Sequence, residues 1–139
     1  MEINPQSNVK GSIGLDKYLC KINWEAGSFL MDEPVSFGGK DKGPDPYSTL
    51  LAALAGCTLS TLRMYIDRKE WDIPAIEVNL DLYIDKSAEF TSTLKRSIYF
   101  PTSISEEQKE RLLMIANKCP VSKILENKII INTDIKNGN

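Results

Sequence analysis

The sequence predicts an α+β fold, a long central helix set against antiparallel sheets, and three observations carry that expectation. Residues 47–69 read as one helix whose middle, Leu50 to Leu62, is apolar nearly all round. Ile76, Val78, Leu80, Leu82 and Ile84 alternate with Glu77, Asn79, Asp81 and Tyr83, the period of two that marks a strand with one dry face. Strand-like segments flank the helix on both sides and are joined by short turns, so neighbours should pair as hairpins. At 139 residues, 42% hydrophobic and 26% charged, the chain suits a single domain spanning 1–139 with a core of its own.

The elements follow in order. Residues 9–14 form a short strand, and Tyr18, Cys20 and Ile22 alternate with Leu19, Lys21 and Asn23 as a second strand would. Ala26 and Gly27 turn the chain into Phe29, Leu30 and Met31, the hairpin partner. The Pro- and Gly-rich stretch DEPVSFGGKDKGPDP is a loop, lying ahead of the helix that bears Cys57, where a substrate entrance would be expected. Asp45 or Pro46 starts the helix, since proline fits the first turn and an aspartate favours the positive end of the helix dipole. After the alternating strand, FTSTLKRSIYF is its hairpin partner across KSAE, with weaker alternation. Ser105 with Gln108 is a capping box for a second helix running to about Lys118. A CPVSKIL turn then leads to a closing strand built on Ile129, Ile130, Ile131, Thr133 and Ile135.

Composition narrows the function. A net charge of -2 leaves no cationic excess for a phosphate backbone, which argues against nucleic acid. MEINPQSNVKGSIGLDK lacks the basic start and apolar core of a signal peptide, and no apolar stretch is expected to reach the roughly 20 residues that cross a bilayer. The expectation is a cytoplasmic protein with no membrane partner. The cysteines, an odd number without an export signal, do not resemble a disulfide framework and should rest reduced. Because the chain has no histidine, sulfur is its only strongly nucleophilic chemistry near neutral pH.

Cys57 lies inside LLAALAGCTLSTL, where burial raises a thiol pKa and an inert core residue is the ordinary outcome. Cys119 precedes Pro120. If Pro120 opens a short helix, Cys119 is its N-cap, where free N–H groups and the helix dipole favour a thiolate and Lys118 and Lys123 add positive charge. Packing beneath the helix end is the plain alternative. Cys20 reads as a buried spectator in a strand, Gly38, Gly39 and Lys40 as a turn rather than a phosphate loop, and Asp32 and Glu33 as solvated loop charges.

GGKDKGPDPYSTLLAALAGCTLSTLRMYIDRKEW, followed by EEQKERLLMIANKCPVSKIL, resembles the OsmC/Ohr superfamily of osmotically inducible and organic hydroperoxide resistance proteins, nearer to its OsmC-like branch. The resemblance covers roughly residues 9–136. It implies an intertwined homodimer and a thiol-dependent peroxidase of oxidative stress defence. Catalysis would use Cys57 as attacking and Cys119 as resolving sulfur, with an organic hydroperoxide as substrate, a dithiol as reductant, and neither metal nor organic cofactor. Two features depart from the family pattern. Tyr47 stands ten residues before Cys57 where relatives often carry an acid, and the turn at Glu25 to Gly27 offers no arginine. Tyr47 as a hydrogen-bond donor, Arg63, or a lysine of a partner chain are left to take those parts. Ser122 stands where many relatives have histidine. The competing expectation is a noncatalytic OsmC-like protein that binds a small hydrophobic ligand near Cys57.

Overall fold

Short polar turns between strand-forming runs dictate antiparallel pairing, and that is what the computed structural model contains over its described residues, 2–138. β1 (Lys10–Ile13), β2 (Cys20–Trp24) and β3 (Gly27–Met31) form one antiparallel sheet in that order, with Ile13 opposite Cys20 and Cys20 opposite Met31. These strands belong to a first compact unit that ends at Leu51, and a second unit begins at Ala52.

The loop of the first unit is ordered by one carboxylate. Asp32 is 2% exposed; its Oδ1 accepts the Glu33 N–H at 2.8 Å, and its Oδ2 accepts those of Lys40 and Lys42 at 3.3 and 3.2 Å. The expectation of a solvated loop charge is therefore corrected for Asp32: the loop folds around it. Burial pushes this carboxyl up, and the three N–H groups more than offset that, so its pKa lies below the usual 3.8. Gly39 completes the turn because a Cβ there would stand 1.9 Å from the Glu33 carbonyl oxygen.

α1 runs Pro46–Arg68. Asp45 caps it, its carboxylate accepting the N–H groups of Tyr47 at 3.2 Å and Ser48 at 3.4 Å, while proline in the first turn sacrifices no helical hydrogen bond. By length and composition α1 would be long enough to cross a membrane, contrary to the expectation that no such stretch exists. Within a single chain Leu54, Thr58, Leu62, Tyr65 and Ile66 are its buried residues, which places them on one dry face of the helix.

In the second unit, β4 (Glu77–Asp85) and β5 (Thr91–Tyr99) form the expected hairpin, with Leu80 opposite Arg96. α2 (Glu106–Ala116) starts at the Ser105 capping box, in which Gln108 N–H reaches Ser105 Oγ at 3.1 Å and Ser105 N–H reaches Gln108 Oε1 at 2.9 Å. Leu62, Tyr65 and Ile66 from α1 join Ile73, Leu112 and Ala116 in the core, flanked by Ile98, Phe100 and Ile104. The predicted α+β class is thus the class observed.

The closing strand is not. Residues 128–138 have no regular structure, and Ile131 and Ile135 are 83% and 96% exposed. The composition favours a strand, but a strand exists only beside another, and among the described residues no ladder partner meets these isoleucines.

Candidate thiol site

The site is assembled by a short helix, α3 (Pro120–Leu125), whose first turn has free N–H groups. Cys119 is its N-cap, in the extended conformation that places a capping side chain over the turn, and Pro120 supplies the fixed φ of the first helical position. Two successive N–H groups then point at two different sulfurs. Ser122 N–H reaches Cys119 Sγ at 3.3 Å, and Val121 N–H reaches Cys57 Sγ at 3.5 Å. Cysteines far apart in the chain are therefore brought to one turn of backbone, and both are reduced.

Their surroundings differ. Cys119 is completely buried, whereas Cys57, in the middle of α1, is half-buried. Cys119 Sγ also lies 2.9 Å from Ser122 Oγ and 3.9 Å from Thr58 Oγ1, a residue of α1 next to Cys57. Arg96 comes from β5. Its Nη1 donates to Thr58 Oγ1 and to Ser122 Oγ, each at 2.8 Å, and stands 3.9 Å from Cys119 Sγ; its Nη2 donates to Asn117 Oδ1 at 3.2 Å.

This asymmetry divides the thiol chemistry. Burial pushes the Cys119 thiol up, but the Ser122 hydroxyl, the Ser122 N–H and the neighbouring Cys57 thiol outweigh it and bring its pKa down to about 7. For Cys57 burial dominates: the Val121 N–H opposes it, the neighbouring Cys119 reinforces it, and the pKa is raised. The N-cap reading of Cys119 therefore describes its place in the fold.

Of the groups considered as stand-ins for the missing pair, Arg63 is committed elsewhere, to Asp67 at 3.0 Å and to the Ile73 carbonyl at 2.8 Å. Tyr47 is exposed in the first turn of α1. Cys20 is half-buried in β2, and among the described residues no three His, Cys, Asp or Glu side chains cluster as metal ligands. Arg96, Thr58 and Asn117 were not anticipated from the sequence. The signal for Arg96 was nonetheless present, because Leu94, Arg96 and Ile98 share one phase of β5 and all three line a cavity of about 540 Å³ in the second unit. A cation in the core phase of a strand breaks the local pattern, which is where function tends to lie.

A family model described as OsmC-like protein matches residues 39–134. The chain belongs to the OsmC-like family. Solved structures agree on the fold. An OsmC-like protein from Mycoplasma pneumoniae is 21% identical with a TM-score of 0.70, covering 89% of each chain. An organic hydroperoxide resistance protein OsmC from Legionella pneumophila is 17% identical with a TM-score of 0.65, over 88% of this chain and 90% of the other. An OhrB organic hydroperoxide resistance protein from Bacillus subtilis is 18% identical with a TM-score of 0.62, over 85% and 88%. Comparison with curated protein sequences gives no match. At these identities the likeness to the solved structures concerns the fold, and the OsmC-like chain's chemistry rests on its own site.

Proposed function

We propose that this OsmC-like protein is a thiol-dependent peroxidase that reduces organic hydroperoxides through Cys57 and Cys119 in oxidative stress defence. The observation that carries the reading is the pair of successive N–H groups, Val121 to Cys57 Sγ and Ser122 to Cys119 Sγ, which holds two reduced sulfurs side by side. The Cys57 thiolate attacks one oxygen of ROOH, forming an S–O bond as the O–O bond breaks. The alkoxide leaves as ROH after taking a proton, and Cys57 becomes a sulfenic acid. Cys119 thiolate then displaces hydroxide from that sulfur to form the Cys57–Cys119 disulfide, which a dithiol reopens by exchange. No cofactor enters these steps. The half-buried position of Cys57 supports its role as the sulfur that meets substrate, since Cys119 has no exposed surface. The names of the Legionella and Bacillus proteins point to the same substrate class.

The working assembly in this reading is a cytoplasmic homodimer of single-domain subunits. Leu50, Ala52, Ala53 and Gly56 leave an apolar face of α1 exposed, and among the described residues the isoleucines after residue 128 have no strand partner; a second copy would cover both. A noncatalytic role, binding a small hydrophobic ligand near Cys57, is the competing reading; the 540 Å³ cavity has Leu54, Leu94, Ile98 and Leu113 in its wall but also Arg96 and Glu126, and Cys57 does not line it. Intact-protein mass spectrometry after one equivalent of cumene hydroperoxide separates the two. The peroxidase reading expects a loss of about two protons, absent in Cys57→Ser. Thiols left unchanged would sink it.

A further inference from the structure

The hydroxyl protons around Cys119 can be counted, and the count decides what the sulfur is. Thr58 Oγ1 donates its single proton to the Leu54 carbonyl at 2.7 Å, so it can only accept from Arg96. Arg96 Nη1 carries two protons, and both are taken, one by Thr58 and one by Ser122. Ser122 Oγ, 4% exposed, accepts from Arg96, and among the described residues the only acceptor within reach of its own proton is Cys119 Sγ at 2.9 Å. Ser122 N–H is aimed at the same atom. The sulfur therefore accepts from two donors, the hydroxyl and the N–H of Ser122. Arg96 itself has no carboxylate within ion-pair distance among the described residues, and its oxygen partners are all neutral. A half-buried guanidinium wants a counter-charge, and the nearest atom able to carry one is Cys119 Sγ at 3.9 Å.

We propose that Arg96 is a positioning residue of the thiol pair: by fixing the Ser122 hydroxyl it keeps Cys119 as a resting thiolate, and that buried thiolate is the base for Cys57. The inference rests on the peroxidase reading for its chemical use, and on geometry alone for the thiolate. Cys57 passes its proton to the Cys119 sulfur as it attacks the hydroperoxide. Cys119 returns that proton to the departing alkoxide, giving ROH, and is again a thiolate when the Cys57 sulfenic acid must be resolved. The disulfide forms as hydroxide leaves and is neutralised by solvent. No histidine or carboxylate is needed in this cycle, which suits a chain with no histidine.

The test is a pH titration of thiolate absorbance in the full-length protein carrying Cys20→Ser and Cys57→Ser, so that Cys119 is the only sulfur nucleophile left. With Arg96 intact, the midpoint of this Cys20→Ser, Cys57→Ser protein is the reference, and it should lie below the ordinary thiol value because Ser122 still donates to the sulfur. Arg96→Met should raise it by about one unit or more. Arg96→Lys keeps a charge but not the fork that binds two hydroxyls, and should raise it in part. A folded Arg96→Met protein with an unchanged midpoint overturns the proposal. If circular dichroism shows that Arg96→Met does not fold, Arg96→Lys decides in the same way, an unchanged midpoint again overturning it. The titration uses no peroxide, so a protein that titrates as expected yet ignores cumene hydroperoxide would refute the peroxidase reading and leave the Arg96 assignment standing.

Discussion

Replacing Ser122 by alanine removes the shortest contact to Cys119 Sγ, the hydroxyl at 2.9 Å, and leaves the backbone N–H at 3.3 Å in place. A hydrogen bond to a charged acceptor is worth about 1.5–3 kcal/mol. At about 1.4 kcal/mol per unit, the Cys119 pKa should rise by about one to two units. From a starting value of about 7 the sulfur is half ionised at neutral pH. In Ser122→Ala the thiolate fraction should fall to roughly a tenth or a hundredth. Reaction rates report this poorly, because a more basic thiolate is also more nucleophilic, with a Brønsted slope of about 0.4–0.5. The five- to fiftyfold loss of thiolate then shrinks to roughly a two- to sixfold loss of rate in the resolving step. Thiolate absorbance against pH, in protein lacking Cys20 and Cys57, is the decisive assay. A midpoint within a few tenths of a unit of the parent, in a folded variant, would refute the reasoning.

Two further outcomes test the frame that holds the site. Leu62→Ala removes a side chain with no exposed surface from the cluster of Tyr65, Ile66, Ile73, Leu112 and Ala116, and should cost about 2–5 kcal/mol in urea unfolding. Asp32→Asn should lower the melting temperature at neutral pH by weakening the hold on the N–H groups of Glu33, Lys40 and Lys42. Because the folded carboxyl lies below its unfolded value of 3.8, its contribution is complete above that value and is lost as pH falls through the folded one. The gap between variant and parent should therefore close in strong acid, and a gap constant with pH would contradict the role given to Asp32.

The sequence made the elements legible wherever local pattern and tertiary context agree. The alternation from Val78 to Ile84, the Ser105 capping box, the Asp45 start of α1 and the Cys119 N-cap all depend on neighbours within a few residues. Asp32 was misjudged because its partners at Lys40 and Lys42 are found only once the loop has closed. The isoleucines after residue 128 have the composition of a strand, yet pairing is not a property of the segment alone. At the site the sulfurs could be named from their residue type, whereas the groups around them could not. Thr58 passes for a small apolar-helix residue, and Arg96 stands out only as a charge in the apolar phase of β5 with no partner in view, until β5, α1 and α3 are seen to converge on one sulfur.

The two sulfurs are unequal in opposite senses, and that constrains the order of events. Cys119 ionises readily but has no exposed surface on which to meet a hydroperoxide, while Cys57 is accessible but has a raised pKa. In the proposed cycle neither meets a hydroperoxide as a thiolate alone, and a proton passed from the accessible sulfur to the buried one is what would make the pair competent. The same asymmetry bears on recycling. Stabilising the thiolate of Cys119 stabilises the reduced state and thereby makes the Cys57–Cys119 disulfide the better oxidant, by about 30 mV for every 1.4 kcal/mol. Arg96 would then serve both halves of the cycle through one geometry. Once a disulfide formed in that cycle, the guanidinium would lose the one counter-charge near it among the described residues, and reduction by a dithiol would restore it.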